Sequence, residues 1–237
     1  MSPLQNRIDV GQESYAVFVA DGEGDQGDLY AVRATGGPVF PITYTLVDES
    51  APALSPDGVT LAFLRVRSSA ETARRSVWVM NLLNGAEREL PALDGWNPRR
   101  IAWSRDGAAL FITAAEGNYR VPAPPAKPQP VALSPADSAV ADSALGVWLG
   151  QPAFARAVEC PGPSGGGLCL LGSDGATSEL AENGRDPSRW GQDSLGYFVA
   201  GDFLIRPLGA GVMRPLGWVP PPPHPRQLSY FEARAEP

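Results

Sequence analysis

The sequence is poor in the residues on which several kinds of chemistry depend. It contains one histidine (His224), one lysine (Lys127) and two cysteines, and its net charge is −7. A Ser-His-Asp hydrolase needs a histidine held by an acid beside a nucleophile, whereas His224 lies in a proline run. The thiols and the histidine do not make up the tetrahedral ligand set of a zinc site. Nucleic-acid binding requires clustered cations. We therefore expect a protein that is not an enzyme, with no catalytic residues, cofactor, metal or nucleic-acid partner.

Long hydrophobic runs are also missing. No stretch approaches the roughly 18 apolar residues of a transmembrane helix, and the N-terminus, MSPLQNRIDVGQ, lacks a basic segment followed by an apolar one. We expect no membrane-spanning segment. The protein is cytoplasmic if Met1 is the native start, and periplasmic if a signal peptide was removed.

Turn-forming residues, by contrast, are abundant, with 26 glycines and 25 prolines. Between them lie short apolar runs that are rich in valine, phenylalanine, tyrosine and tryptophan. Many of these runs, such as VTLAFLRVR and SVWVMNL, are short, and this composition, with period-two alternation in places, is typical of strands. The pattern predicts an all-β chain with many tight turns.

Five units of one pattern follow each other along the chain. In each unit an acidic residue precedes an apolar strand, and this residue recurs about every 45 residues, a period that marks propeller blades: Glu13, Asp57, Asp106, Asp142 and Asp193. The second unit shows four strands, APALS, VTLAFLRVR, SVWVMNL and ERELPAL, with a hairpin turn at Asn84-Gly85. In the first unit, RIDV occupies the position of the first strand.

We therefore predict a β-propeller of four-stranded antiparallel blades. The propeller covers residues 1–219, and its blades span roughly residues 7–47, 50–93, 97–133, 137–182 and 186–219. Residues 220–237 contain the proline run PPPPHP and a final strand, RQLSYFEARA, which resembles part of a sixth blade. This strand either latches the ring by pairing near the N-terminal strand or leaves an open edge for a partner.

The best-preserved units resemble a known repeat. PALSPDGVTLAF and the weaker RIAWSRDGAALFI are similar to the PD40, or TolB-type, repeat of WD40-like β-propellers. The matching residues are Pro52, Ser55, Pro56, Asp57 and Gly58, and then Pro98, Trp103, Ser104, Asp106 and Gly107. Serine, aspartate and glycine at these positions form tight turns, so we interpret the motif as architecture. The resemblance implies a propeller, which hosts many functions.

We predict a non-catalytic protein-interaction or scaffold propeller, specifically an accessory subunit that docks onto a larger bacterial assembly, such as a membrane complex. Aromatic and arginine side chains are the usual anchors of interfaces. The candidate contact residues, near one mouth of the channel, are Trp96, Arg99, Arg100 and Arg105.

Two alternative functions stay open at this point. One is a ligand- or sugar-binding propeller that uses its tryptophans, which are equally suited to core packing: Trp96, Trp103, Trp148, Trp190 and Trp218. The other follows from the resemblance, since TolB-like propellers also occur with prolyl-oligopeptidase-type peptidases. This chain would then be the propeller part of a peptidase whose catalytic domain is absent.

The two cysteines, Cys160 and Cys169, flank a glycine- and proline-rich loop in ECPGPSGGGLCLL. A hairpin would bring them face to face. They form a disulfide if the compartment is oxidising, or they are two reduced, small apolar residues in facing strands.

Overall fold

A computed structural model describes residues 1–22, 24, 26–67, 74–90, 97–115, 117–124, 131–132, 147–149, 155–161, 166–171 and 176–234. Its strands are β1 (Tyr15–Asp21), β2 (Gly27–Arg33), β3 (Gly37–Pro38), β4 (Phe40–Pro41), β5 (Glu49–Leu54), β6 (Thr60–Arg67), β7 (Arg74–Asn81), β8 (Glu87–Glu89), β9 (Pro98–Trp103), β10 (Ala109–Ala114), β11 (Gly117–Pro122), β12 (Val131–Ala132), β13 (Val147–Leu149), β14 (Ala155–Cys160), β15 (Gly167–Leu171), β16 (Thr177–Glu182), β17 (Arg185–Trp190), β18 (Ser194–Val199), β19 (Asp202–Pro207), β20 (Arg214–Pro215), β21 (Trp218–Val219) and β22 (Arg226–Phe231).

These strands form five four-stranded sheets, numbered here as blades in chain order. Blade 1 has the order β22-β1-β2-β4, and blades 2 to 5 are β5–β8, β9–β12, β13–β16 and β17–β20. Every pairing within a blade is antiparallel. The leading strands of neighbouring blades contact each other, β22 with β5, β5 with β9, β13 with β17 and β17 with β22. The predicted β-propeller is confirmed, and it has five blades.

The hydrophobic core lies mainly between blades. One cluster joins blades 1 and 2 through residues such as Tyr15, Val17 and Phe63. Others join blades 5 and 1, blades 2 and 3, and blades 4 and 5. A twisted four-stranded sheet is stable when its apolar faces are covered, and here each blade covers its neighbour. The stability of the ring therefore depends on every blade being held in its place.

The C-terminal strand β22 closes the ring. It pairs antiparallel with β1, from Tyr15 opposite Phe231 to Val19 opposite Arg226, and so completes blade 1. A second link is parallel and joins Trp218 of β21 to Gly37 of β3. Two roles are predicted for this strand, and the structure shows the first: it latches the ring by pairing with β1. What resembled part of a sixth blade is the innermost strand of the first, since pairing there covers the free edge of β1.

The expectation that RIDV forms the first strand of blade 1 is wrong. Residues 3–12 are mainly turns, with amide hydrogen bonds from Arg7 and Ile8 to the carbonyl of Leu4. Leu4, Ile8 and Val10 are buried in the cluster between blades 1 and 2. A short apolar pattern can be satisfied by a packed turn as well as by a strand, and the strand position is taken by β22.

Candidate protein-docking cleft at the SPDG turns

The SPDG motif of blade 2 forms the turn between β5 and β6. The Ser55 hydroxyl donates to Oδ1 of Asp57 at 2.5 Å and accepts the amide of Thr60 at 2.9 Å. The same aspartate oxygen accepts the amide of Val59 at 3.0 Å. Gly58 follows with φ of 67°, a conformation that glycine adopts without steric cost. The serine and the aspartate therefore hold the turn together.

The SRDG motif of blade 3 repeats this geometry between β9 and β10. Ser104 donates to Asp106 at 2.6 Å and accepts the amide of Ala109 at 2.9 Å, and Gly107 has φ of 71°. The Ser104 hydroxyl, followed by the Ala108 amide, holds the pKa of Asp106 below its usual value. Hydrogen bonds to the charged form explain that direction. Asp57 and Asp106 thus act as turn formers, and Asp142 lies outside the described residues.

We expect loss of the Ser55 hydroxyl to destabilise the fold. Ser55→Ala leaves the Thr60 amide and Asp57 without this partner, and Ser55 is only 5% exposed. An unsatisfied buried donor costs about 1–3 kcal/mol, which chemical denaturation measures as a lower free energy of unfolding. Ser188→Ala is the control, because the buried Ser188 hydroxyl has no hydrogen-bond partner among the described residues. Equal losses in both variants would contradict the assigned role of Ser55.

The blade 2 turn also contacts the closing strand. The Tyr15 hydroxyl donates to the carbonyl of Gly58, and the Phe231 ring packs so closely that a Cβ at Gly58 would lie 2.6 Å from it. Burial, and secondarily the charge of Asp57, raises the pKa of Tyr15, which keeps the hydroxyl protonated as a donor. The C-terminal end of β22 therefore packs directly against the SPDG turn, and the two hold each other in place.

A cleft of about 930 Å³ opens beside these turns, and we call it the turn cleft. It is framed by the SPDG turn of blade 2 and the SRDG turn of blade 3. The C-terminal end of the closing strand and the outer hairpin of blade 2 complete its wall. Its lining includes Gln12, Asp57, Met80, Asn81, Glu87, Arg88, Trp103, Arg105, Asp106, Phe231 and Arg234. This volume lies in the upper part of the range of about 300–1,000 Å³ that is usual for ligand pockets.

The polar groups of the turn cleft differ in how far they are already engaged. Asp57 and Asp106 bond within their turns, and Glu87 is paired with Arg65 at 2.9 Å. The guanidinium groups of the cleft, by contrast, have no hydrogen bond or ion pair within the described part of the chain: Arg88, Arg105 and Arg234. The cleft therefore presents unengaged donors.

The predicted contact residues lie at two places. Arg105 belongs to the turn cleft, whereas Arg99 and Arg100 are exposed near the start of β9. From Arg100, β9 continues to Trp103 at about 3.3 Å per residue, and the SRDG turn with Arg105 follows the end of the strand. The strand thus places them towards opposite ends of the blade. Trp96 lies outside the described residues.

The other end of the innermost strands carries bulges in four of them, β5, β9, β17 and β22. The shifts in β5, β17 and β22 each contain a residue with positive φ: Ala51, Asp186 and Gln227. Oε1 of Gln227 accepts the Ala51 amide at 2.7 Å, and Oε1 of Glu159 accepts the Asp186 amide at 2.9 Å. Bulges re-aim side chains, and here the side chains join neighbouring blades.

The tryptophans considered for ligand binding serve packing where the structure describes them. Trp190 and Trp218 are buried in the cluster between blades 5 and 1. Trp190 stacks on Tyr230 of the closing strand, with ring centroids 4.1 Å apart. Trp103 is partly exposed at the turn cleft and donates its indole N–H to the Ala53 carbonyl at 2.9 Å. Trp96 lies outside the described residues, as does the side chain of Trp148.

The structure joins Cys160 of β14 to Cys169 of β15 in a disulfide, with the two Cα atoms 5.9 Å apart. Among the described residues, no group of three or more histidine, cysteine, aspartate or glutamate side chains is placed to hold a metal ion. His224, the only histidine, contacts Asp21 at 2.6 Å and so ties the proline run to blade 1. The described part of the chain contains no helix with the length and apolar character needed to cross a membrane.

No protein-family model and no curated protein sequence matches the chain. Solved structures are similar to it. A chain of the nidogen/laminin complex has a TM-score of 0.56 at 9% identity, covering 94% of this chain and 100% of that one. TolB from Acinetobacter baumannii has a TM-score of 0.49 at 11% identity, covering 93% of this chain and 67% of that one. The periplasmic gluconolactonase of Pseudomonas aeruginosa has a TM-score of 0.35 at 13% identity, covering 85% of this chain and 67% of that one.

At identities this low, structural similarity concerns the fold alone. Propellers host binding, scaffolding and catalysis on the same architecture. The function of this chain must therefore be argued from its own residues.

Proposed function

We propose that this chain is a non-catalytic protein-interaction propeller that docks a partner at the turn cleft. In its specific form, it is an accessory subunit of a larger bacterial assembly, for example a membrane-associated one. The observation that carries the proposal is the turn cleft itself, in which unengaged arginines lie beside aromatic surface. Such side chains are the usual anchors of protein interfaces.

The engagement of the acidic residues supports the same proposal. The carboxylates of the repeats, Asp57 and Asp106, are bonded within their turns, so they are poor candidates for acid–base chemistry. Of the compartments considered, the Cys160–Cys169 disulfide favours the periplasm, because disulfides persist in oxidising environments.

Site-specific photo-crosslinking in the native host tests the docking face. A benzoylphenylalanine replaces Arg105 in the turn cleft, Arg99 at the other end of β9, or Arg214 on the outer strand β20 of blade 5. All three positions are exposed, so the probes differ only in location. We expect a covalent product with one defined partner from position 105 and none from position 214.

Two results would overturn the proposal. A product from position 99 without one from position 105 would move the docking face to the opposite end of the channel. A chain that purifies as a monomer and gives no product from any position would contradict a role as a subunit.

A further inference from the structure

Three arginines reach the turn cleft from distant parts of the chain. Arg88 belongs to β8, Arg105 to the SRDG turn, and Arg234 follows the closing strand. Each guanidinium carries five N–H donors in a planar fork that matches a carboxylate. Closure of the ring brings these three groups to one site, although nearly 150 residues separate Arg88 from Arg234 in the sequence.

The local charge of the cleft differs from that of the whole chain. The lining carries three arginines and three carboxylates, those of Asp57, Asp106 and Glu87, so the cleft is close to neutral on a chain with a net charge of −7. All three carboxylates have hydrogen-bond or ion-pair partners, whereas the three arginines have none among the described residues. A negatively charged ligand therefore meets less repulsion here than the net charge of the chain implies, and it finds guanidinium groups that it can pair with.

The remaining groups distinguish between anionic ligands. Asp57 and Asp106 use Oδ1 within their turns, so a second carboxylate oxygen on each is available to accept a hydrogen bond. Main-chain amides of a peptide supply such donors, whereas a phosphate backbone has none to give. The partly exposed Trp103 adds apolar surface to the lining, whereas Met80 and Phe231, at 5% and 7% exposure, add little.

We propose that the turn cleft binds an extended, acidic segment of the partner protein. Aspartate or glutamate side chains of the segment pair with Arg88, Arg105 and Arg234, and its amides donate to Asp57 and Asp106. This inference rests on the proposed function, since it names the part of the partner that the docking face takes.

Fluorescence anisotropy with a defined probe tests the inference. The probe is a fluorescein-labelled peptide that repeats Asp-Ser-Glu-Gly, and its twin repeats Asn-Ser-Gln-Gly. We expect the acidic peptide to bind at least about tenfold more tightly than the twin, because charge-assisted hydrogen bonds are lost with the carboxylates. Binding should also weaken as salt is raised, because part of the attraction is screened.

Two charge-matched variants assign the binding to the cleft. Arg105→Gln/Arg234→Gln removes two cleft arginines, and Arg74→Gln/Arg75→Gln removes two exposed arginines at the far end of β7. We expect the cleft variant to lose about tenfold or more in affinity and the β7 variant to bind as the wild type does. Equal losses in both variants, or equal binding of the acidic peptide and its twin, would overturn the inference.

A crosslinking experiment with a double variant distinguishes failure of this inference from failure of the proposed function. The test introduces Arg88→Gln/Arg234→Gln into the chain that carries the photo-reactive residue at position 105. Loss of the crosslinked product supports the acidic-segment inference. An unchanged yield of the product overturns the inference while the protein-interaction function stands.

Discussion

Phe231→Ala lowers the free energy of unfolding by about 3–5 kcal/mol, the usual cost of removing a buried phenylalanine side chain. Phe231 is 7% exposed, and its ring lies 5.7 Å from that of Tyr15 and directly against Gly58. Its strand closes the ring, so the cavity loosens blade 1 against blade 2 as well as the latch itself. Urea denaturation followed by tryptophan fluorescence measures the change.

The neighbouring Glu232 provides the control for this variant. Glu232 is exposed and follows Phe231 directly, so Glu232→Ala changes the same segment without removing core contacts. We expect its unfolding free energy to stay within about 0.5 kcal/mol of the wild type. If both variants unfold alike, the closing strand does not hold the ring in the way described.

Arg65→Met lowers the free energy of unfolding by about 3–5 kcal/mol at neutral pH, because it leaves the buried Glu49 carboxylate without its cationic partner. Glu49 at the start of β5 has no exposed side-chain surface. Its Oε1 accepts two bonds from the Arg65 guanidinium, at 2.7 and 2.9 Å, and Oε2 accepts the Thr43 hydroxyl. Without Arg65, the carboxylate loses its only ion-pair partner within the described residues.

The loss in Arg65→Met shrinks as the pH falls. Burial already raises the pKa of Glu49 above its usual value, and removal of the Arg65 cation raises it further. Between the unfolded and the raised folded pKa, the folded state binds more protons than the unfolded state. Stability therefore falls as pH rises through that interval and returns as Glu49 is protonated.

Denaturation of the variant at several pH values measures this dependence, and Arg65→Met/Glu49→Gln is the matched rescue. The double variant carries no buried charge at this site, so it should recover much of the loss and lack the pH dependence. A deficit in Arg65→Met that is independent of pH, or a double variant as unstable as the single one, would contradict the assignment.

Local patterns were enough to predict most of the architecture. Period-two alternation and the repeated SPDG turn each reflect interactions within a few residues, such as the Ser55 hydroxyl bonding to Asp57 and Thr60. The same local reasoning misassigned residues 7–10, because a turn that buries Ile8 and Val10 has the apolar pattern of a short strand. The sequence carries no local signal for that difference.

The site was only partly predictable for a related reason. Arg105 is predictable as a residue near a repeat turn, because it stands within the SRDG motif. Arg88 and Arg234 carry no motif and become neighbours only when the last strand closes the ring. The bulges at Ala51, Asp186 and Gln227 are equally hidden, since these residues of positive φ bond to residues of adjacent blades that are distant in the sequence.

Hydrogen–deuterium exchange of the chain with and without its crosslinking partner tests the central claim most directly, because it reports on both ends of the channel in one measurement. We predict that partner binding slows exchange in peptides that contain residues 55–60, 104–109 and 231–234, which frame the turn cleft. Protection confined to residues 48–51, 97–100 and 224–227, at the opposite end, would contradict the claim that the turn face is the docking surface.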